Sequence, residues 1–522
     1  MEEFYRRITV RKTVPLFQPY RRVLVIACLV FCSFSSLFAY SGGSGTESDP
    51  YQIAAVSDWN DLMNTASDWN KHFIMTADIN LQGIPLIPVG RNWPNFNGVF
   101  DGNGHTIRNA DINMTSSLYV GLFGYSNGQI RNLGVVDVNI SGRDDTGGLM
   151  GYNNGTIIAC FVTGSVNGNN GVGGLVGRNG RLGPTITDCY AIATVTGSSS
   201  VGGLAGANND TISDCYAAGT VTGSSSVGGL VGINFGNISN SSSTGSVAGQ
   251  WNLGGLVGQM NRGSISGCFS TAAVTGIDNS LGLGGLVGMA MQGGGIINIS
   301  NCYSMGNVAG GNNSSFLGGL IGKNMGGAIS NCFATGDVNG TTSFIGGLIG
   351  ASAGNINSSY FLITSAPDNN FGEPLTDEQM KQQTSFAGWD FVGETENGIQ
   401  DIWKICNGTN YPKLAWQKPL SGDFVCPDGV DFYDFAVFAG QWSLEKLSYD
   451  IAPPGGDGIV NFLDYALFAN NWQGDINSLA GFSSQWLKSG AYSADIAPAP
   501  AGDCVVNMLD FAAFADNWLK GI

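Results

Sequence analysis

The chain has 522 residues, 80 of them Gly, and its 39 acidic and 22 basic side chains give a formal charge of −17. This length allows several domains, and the acidic balance argues against nucleic acid as a partner, because phosphate binding needs clustered Lys and Arg. The two His residues, His72 and His105, leave little room for His-based catalysis. Such a Gly content beside only 12% charged residues indicates a repeating structure.

The N-terminus has the composition of an export signal. Six basic residues precede the apolar run Val23–Phe38, and the small residue Ala39 follows it. Because this run is shorter than the roughly 20 residues of a membrane span, we predict a signal peptide over residues 1–39. The expected location is secreted or at the bacterial cell surface, with no membrane span in the mature chain. An uncleaved membrane anchor is the alternative.

Residues 40–116 are predicted to form an N-terminal cap and the first coil of a larger structure. Ser57–Asn70 has the composition of a helix, and His72–Leu81 that of a strand. Phe96–Ile107 is predicted to form a strand, a turn and a second strand. Asp101 and His105 lie in that turn, where we expect His105 to be structural.

An internal repeat accounts for the Gly content. The string Gly-Gly-Leu-x-Gly begins at eight positions and a variant begins at Val120, and successive starts are 26 to 34 residues apart. Each unit has three short β-rich segments separated by Gly and Asn turns, which fits one coil of a parallel β-solenoid. We therefore predict an all-β fold, a right-handed parallel β-helix with end caps, whose repeats occupy residues 117–364.

Stacked coils place equivalent residues in columns, and one column is mostly Cys. Its members are Leu133, Cys160, Cys189, Cys215, Ser241, Cys268, Cys302, Cys332 and Ser359. Free Cys packs as a small hydrophobe, and Ser replaces it twice, so we predict a buried thiol ladder. Disulfides between neighbouring coils are the alternative in an oxidising compartment.

The column beside the Cys residues is aromatic. Its members are Phe161, Tyr190, Tyr216, Phe269, Tyr303, Phe333 and Tyr360. If Cys points inward, strand alternation turns these rings outward, and a flat aromatic stripe suits glycan binding. The alternative is that the rings stack on one another and on outer loops.

The repeat resembles a known motif. Gly-Gly-Leu-Val-Gly followed by Asn-x-Gly-x-Ile and Cys-Tyr is similar to the GLUG motif of secreted bacterial surface proteins, over about residues 120–361. Some proteins with this motif also carry an IgA-cleaving metallopeptidase. The sequence has no HExxH string, so the resemblance does not extend to that activity.

Carboxylates that could form a catalytic pair are few in the repeats. Residues 115–364 contain eight Asp and no Glu, and Asp188 and Asp214 hold the same position in adjacent coils. Asn holds that position in other coils, so we predict an Asn/Asp turn ladder and assign no catalytic residue. A polysaccharide lyase or glycoside hydrolase built on a β-helix is the alternative function.

Residues 365–420 are predicted to cap the far end of the solenoid. Leu375–Phe386 has a helical pattern with Thr376 as its N-cap. Trp389, Trp403 and Trp416 follow and provide enough bulk to close the end.

The composition changes in residues 421–522, which hold 13 acidic residues, three Lys and no Arg. Four helix-like segments in this region each end in Trp. Between them, Asp457 is followed by Gly458 and by further oxygen ligands four and seven residues on. This pattern matches the second half of an EF-hand-like calcium loop.

The region is similar to a type I dockerin, a module of paired calcium loops and helices that binds cohesin. The resemblance implies calcium as the cofactor and a cohesin-like or cell-envelope protein as the partner. The implied calcium ligands are Asp450, Asp457, Asn461, Asp464, Asp495, Asp503, Asn507 and Asp510. The loops are longer than usual, and Cys504 replaces the turn Gly. The alternative is an acidic helical bundle without calcium. A disulfide between Cys426 and Cys504 could cross-link the module.

The predicted protein is therefore a secreted, non-catalytic β-solenoid that serves adhesion or the binding of a glycan or protein. A dockerin-like module would attach it to the cell surface or to a complex. In the competing hypothesis, the module would instead deliver a polysaccharide-degrading enzyme.

Overall fold

The computed structural model describes residues 40–417, apart from residues 92, 182, 292–294 and 342–343. The repeats stack in it as a parallel β-solenoid, in which each coil pairs with the coils before and after it. The predicted all-β parallel solenoid is therefore confirmed. The predicted signal peptide and the predicted EF-hand-like module lie outside the described residues.

Each regular coil contains four short strands. In one coil they are Ser199–Gly202, Ala205–Asn208, Thr211–Ser213 and Tyr216–Thr222. We name the faces that such strands build by stacking, in chain order, the Val face, the Asn face, the Ile face and the aromatic face. The sequence predicted three segments per coil, so the structure contains one strand more. The structure makes a corner at Gly-Gly-Leu-x-Gly, where the first Gly, Gly202, ends one strand and the next strand begins after Leu204.

The strands can be grouped by face. The Asn face is a separate nine-stranded sheet, with strands Phe123–Ser126, Met150–Asn153, Val176–Asn179, Ala205–Asn208, Val231–Asn234, Val257–Met260, Val287–Ala290, Ile321–Asn324 and Ile349–Ser352. The Val face has Leu118–Val120, Asp144–Gly147, Asn170–Gly173, Ser199–Gly202, Ser225–Gly228, Ser315–Gly318 and Ile345–Gly346. The Ile face has Val99–Asp101, Gln129–Arg131, Thr156–Ile158, Thr185–Thr187, Thr211–Ser213, Asn237–Ser239, Gly263–Ser266 and Ile356–Asn357.

The aromatic face continues the same ladder of parallel strands. Its strands are Ile79–Asn80, Thr106–Arg108, Asp111–Asn113, Gly134–Ser141, Phe161–Asn167, Tyr190–Thr196, Tyr216–Thr222, Ser242–Ser243, Phe269–Ser270, Val308–Ala309, Val338–Asn339, Tyr360–Leu362 and Glu373–Leu375. Some later strands pass from one face to the next. Ser246–Gly254 and Ala273–Gly284 run from the aromatic face to the Val face, and Ile297–Ser304 and Ala328–Ala334 run from the Ile face to the aromatic face.

The interior of the solenoid is built from columns of identical apolar residues. Ile186, Ile212 and Ile238 are Cα partners on successive coils, and each is fully buried, as is Leu204 after the Gly-Gly corner. A single coil cannot cover these side chains. They are removed from water because each packs against the equivalent residue of the next coil.

The thiol ladder is confirmed. All six Cys of the column are buried and outside any disulfide. Each thiol donates to the carbonyl oxygen two residues earlier, as Cys215 does to Ser213 at 3.0 Å. Ser241 makes the same bond to Ser239 at 2.7 Å, which explains why Ser can replace Cys. Burial raises the pKa of Cys215 and Cys302, so these thiols stay protonated and able to donate at neutral pH.

A second ladder, of buried Asn side chains, ends the strands of the Asn face. The Asn208 amide donates to Oδ1 of Asn234 at 2.8 Å and to the Asp210 carbonyl at 3.0 Å. Its own Oδ1 accepts from Nδ2 of Asn179 at 2.8 Å and from the Asp210 N–H at 3.3 Å. These Asn residues are fully buried, so one side chain satisfies both the next coil and its own turn.

The N-terminal end is covered by the α-helix Val56–Asn64, which a 3₁₀ turn follows at Ala66–Asp68. The buried Trp59 of this helix packs edge-on against Phe100 and Phe123, with ring centroids 5.9 and 6.0 Å apart. The strands Tyr51–Ile53 and His72–Met75 lead into the first coil. Residues 72–81, predicted as one strand, form two, His72–Met75 and Ile79–Asn80. Within the described part of the chain, no helix combines the length and apolarity that a membrane crossing requires.

The C-terminal segment contains a short helix, a 3₁₀ turn and an antiparallel strand pair. Its helix is Asp377–Met380, a 3₁₀ turn follows at Gln383–Ser385, and Trp403–Lys404 pairs antiparallel with Lys413–Leu414. The predicted N-cap is confirmed, since Oγ1 of Thr376 accepts from the Gln379 N–H. Cys406 of this segment is disulfide-bonded.

Residues 369–375, and not the Trp residues predicted from the sequence, close the end of the solenoid. The strand Glu373–Leu375 pairs with Tyr360–Leu362, and the Asn369 amide donates to the carbonyls of Ile345 and Ile349 at 3.2 and 2.8 Å. The Trp residues pack on the side of the rod instead, because the aromatic face offers them a column of rings to contact.

Candidate functional site

The seven predicted rings lie in one column of the aromatic face. Register pairs Phe161 with Tyr190 and Tyr190 with Tyr216, and it continues past Ser242 to the remaining rings. The rings of Phe161 and Tyr190 are nearly parallel, with centroids 4.8 Å apart and an angle of 2° between their planes. Because the neighbouring thiols point inward, the rings point away from the core.

The C-terminal half of this column is covered. Tyr303, Phe333 and Tyr360 are only 2%, 0% and 4% exposed, because the segment that carries Trp389 and Trp403 folds over them. The Trp403 ring lies 6.0 Å from that of Phe333. These three rings cannot contact a glycan, and this corrects the predicted stripe, which treated all seven as equivalent.

Phe269 marks the edge of the covered region. The Trp416 ring lies 6.0 Å from the Phe269 ring, and its indole N–H donates to the Gly267 carbonyl at 2.9 Å. Phe269 is therefore partly screened by the C-terminal segment.

The N-terminal half of the column is open. Tyr190 is 36% exposed and Ile192, two residues on, is 48% exposed. Along the strand Tyr190–Thr196 exposed and buried residues alternate without interruption. Thr194 and Thr196 therefore face outward on the same side of the sheet as the Tyr190 ring. Register places Thr220 and Thr222 beside these two. The open surface therefore joins a flat pair of rings to rows of hydroxyl groups.

Asp188 and Asp214 occupy a corner of the backbone. Their φ angles are 53° and 55°, and Asn240 and Asn301 at the same position have φ of 46° and 54°. Asp and Asn tolerate this left-handed conformation better than most residues. Asn240 donates to Asp214 Oδ1 at 3.2 Å. The predicted turn ladder is confirmed, and it accounts for the residue type at both positions.

The turn that contains Asp101 and His105 is held by an ion pair and by a contact between His105 and Asp78. Arg131 Nε lies 2.8 Å from Asp101 Oδ2, and His105 Nδ1 lies 3.3 Å from Asp78 Oδ1. Burial alone would raise the pKa of Asp101, but hydrogen bonds from Asn132, the Asn103 N–H and Arg131 outweigh it and hold the pKa below its usual value. The sequence showed no partner for these residues, since the partners lie about one coil away.

The predicted calcium ligands all lie outside the described residues. Within the described ranges, no group of three or more His, Cys, Asp or Glu side chains is arranged to hold a metal ion.

A second aromatic group, which the sequence analysis did not single out, lies where the Val face meets the Asn face. The rings of Tyr125 and Tyr152 are parallel, 4.7 Å apart with 5° between their planes. Tyr119 stands edge-on to both, at 5.8 and 5.6 Å. The repeat held a signal for this group, since Tyr125 and Tyr152 follow Gly-Leu-Phe-Gly and Gly-Leu-Met-Gly at the same offset.

The repeats match a known family model. Four segments, residues 168–196, 197–222, 223–248 and 314–339, match the model described as the GLUG motif. Two relatives are similar over part of the chain. Halomucin of Haloquadratum walsbyi is 32% identical over 157 residues, 27% of this chain and 2% of halomucin, and a proposed Gly-rich membrane protein of Evansella cellulosilytica is 34% identical over 187 residues, 28% of this chain and 21% of that protein. The chain thus spans at most about a fifth of these two relatives.

Two solved structures are also similar to parts of the chain. A proposed immunoglobulin A1 protease from Bacteroides ovatus aligns with 73% of this chain and 96% of its own, at 20% identity and a TM-score of 0.37. An IgA1 protease aligns with 62% of this chain and 22% of its own, at 15% identity and a TM-score of 0.30. The four matched segments show that the chain carries GLUG motifs. These motifs form coils of its parallel β-solenoid.

Proposed function

We propose that the protein is a secreted or cell-surface polysaccharide-binding protein, in which the open half of the aromatic face is the binding surface. The observation that carries the proposal is the parallel ring pair formed by the exposed Tyr190 and the half-buried Phe161. An aromatic face attracts the C–H groups of a sugar ring and also buries apolar surface. The hydroxyl groups of Thr194 and Thr220 lie on the same side of the sheet and can bond to sugar hydroxyls.

A surface location is supported by sequence likeness. The names halomucin and Gly-rich membrane protein fit a protein outside the cytoplasm, as does the basic and apolar composition of residues 1–39. A regular rod of stacked coils also suits a spacer, since its length is set by the number of repeats.

Binding through the open rings can be tested by affinity electrophoresis of the full chain in gels that contain neutral polysaccharides such as glucan, mannan, xylan or galactan. We expect at least one gel to retard the protein, and Tyr190→Ala to weaken that binding about tenfold, since it removes a stacking partner. Trp251→Ala is the matched control, because Trp251 is 44% exposed but lies on the strand Ser246–Gly254, near the Val face.

Two outcomes would contradict the proposal. One is the absence of retardation in every gel, and the other is equal retardation of Tyr190→Ala and the unchanged chain. The same samples also test the enzymatic alternative, since release of reducing sugars or unsaturated products that Asp188→Ala abolishes would favour a hydrolase or lyase.

Attachment through residues 421–522 is the second part of the proposal. The pattern of Asp457, Asn461 and Asp464 supports calcium binding, because these oxygen ligands have EF-hand spacing on either side of the turn residue Gly458. Asp503, Asn507 and Asp510 repeat the spacing. A cohesin-like or cell-envelope protein would bind the calcium-loaded module.

Calcium binding can be measured by calorimetric titration of the full chain after chelation. We expect heat of binding and a calcium-dependent rise in the melting temperature, because an ion that binds only the folded state stabilises it. Asp457→Ala should remove the ion of its loop. Asp475→Ala is the control, since it removes a carboxylate of the same region that is outside the predicted ligand set. Equal heats for Asp457→Ala and the unchanged chain would contradict the assignment.

A further inference from the structure

A cleft of about 430 Å³ lies beside the tyrosines of the Val and Asn faces. It is lined by Arg91, Trp93, Asn95, Ser117, Tyr119 and Tyr125, among others. Its volume lies within the range of small-molecule sites. The cleft is on the N-terminal part of the rod, and its residues are separate from the open rings of the aromatic face.

The wall that carries Arg91 and Trp93 is anchored at both ends. Isolated parallel bridges join Val89 to Phe123 before it and Phe96 to Ser126 after it. Gly124 permits this close approach, because a Cβ atom at Gly124 would lie 2.6 Å from the Cα atom of Arg91. Val89 and Phe96 are therefore held against the coil that carries Tyr125, and Arg91 lies close to its backbone.

The aromatic residues of the cleft are arranged to meet a flat ligand. Trp93 is 89% exposed at the rim, although burial of an indole is strongly favourable. Tyr125, which lines the same cleft, is parallel to Tyr152, and Tyr119 stands edge-on to both rings. A sugar ring can lie between the exposed indole and this fixed tyrosine group.

The charges of the cleft select the kind of sugar. Nη2 of Arg91 donates to the Ser117 hydroxyl at 3.3 Å, and among the described ion pairs Arg91 has no carboxylate partner. The neighbouring Arg178 is neutralised, since its Nε lies 2.9 Å from Asp145 Oδ1. Arg91 therefore leaves one uncompensated positive charge at the cleft of a strongly acidic protein.

We propose that this cleft binds a uronic acid residue of an acidic polysaccharide, with the sugar ring against Trp93 and Tyr125 and its carboxylate on the Arg91 guanidinium. An arginine binds a carboxylate through two parallel N–H···O bonds, and a neutral sugar would leave this group unmatched. The inference rests on the proposed polysaccharide binding, but it concerns a separate surface and adds a charge requirement.

The test measures binding of hexagalacturonate and of its methyl-esterified form to the full chain by calorimetry. The two probes share their rings and differ in charge. We expect the acid to bind more tightly than the ester. Arg91→Gln should lower the affinity for the acid about tenfold or more and leave the affinity for the ester unchanged. Trp93→Ala should weaken both, because the stacking surface serves either probe.

Arg108→Gln is the matched control, since Arg108 also bonds to a neighbouring hydroxyl, that of Thr106 at 3.1 Å, but lies outside the cleft lining. Melting curves of all variants should coincide with that of the unchanged chain. Equal affinity of Arg91→Gln and Arg108→Gln for the acid would overturn the inference, as would failure of the acid to bind. If neutral polysaccharide still binds through Tyr190 in that case, the inference alone fails; if nothing binds, the proposed function fails with it.

Discussion

Replacement of Gly229 by Ala is expected to lower the free energy of unfolding by about 3 kcal/mol, since it inserts an atom where none fits. A Cβ atom at Gly229 would lie 2.0 Å from the carbonyl oxygen of Gly255 in the next coil. The backbone cannot move away without lengthening the bonds from Gly229 N to Gly254 O, 3.1 Å, and from Leu230 N to Leu256 O, 2.9 Å. The expected result is a lower urea midpoint by far-ultraviolet circular dichroism.

Gly83→Ala is the control for this substitution. Nothing lies within 4 Å of a Cβ atom at Gly83, whose φ is +73°, so only the left-handed backbone is strained, at about 1 kcal/mol. A midpoint for Gly229→Ala at or above that of Gly83→Ala would show that the coils have room at the Gly-Gly corner.

Asn208→Leu is also expected to lower the free energy of unfolding by about 3 kcal/mol, but through lost hydrogen bonds and not through a steric clash. Leu has the branching of the Asn side chain but makes no hydrogen bond, so Nδ2 of Asn179, Oδ1 of Asn234 and the backbone groups of Asp210 each lose a partner. Asn179 Nδ2 and Asn234 Oδ1 each keep one longer bond, of 3.3 Å to the Thr211 carbonyl and from the Gly236 N–H. Each lost hydrogen bond costs about 0.5–1.5 kcal/mol. The urea midpoint should fall sharply.

The same column offers a matched control. Register places Met260 next after Asn234 in the Asn column, and Met260 is fully buried. Met260→Leu exchanges apolar groups of similar volume and should cost less than about 1.5 kcal/mol. If Asn208→Leu were as mild as Met260→Leu, the Asn ladder would contribute little to stability.

The sequence predicts the repeating part of the fold well, because each contact there recurs at a fixed offset. The Cys column, the turn position of Asp188 and the outward direction of Tyr190 all follow from strand alternation within a repeat. A single coil is enough to infer them, since the next coil repeats the environment.

The non-repeating contacts could not be predicted in the same way. Trp416 bonds to Gly267, 149 residues earlier, and no local pattern relates two such residues. The corner at Gly229 was also missed, since it depends on the distance to a backbone atom of the next coil. Arg91 and Trp93 precede the first Gly-Leu-x-Gly string, so no repeat position draws attention to them.

The C-terminal segment restricts where the rod can change its length. Its rings pack on Phe269, Tyr303, Phe333 and Tyr360, which belong to four successive coils. Loss of one of these coils would bring Trp389 and Trp416 against the wrong rings. The coils of residues 168–248 precede this contact and are three consecutive family matches. Whole repeats can therefore be gained or lost there with every ladder kept intact, so the N-terminal half is the adjustable part of the rod and the C-terminal half its fixed part.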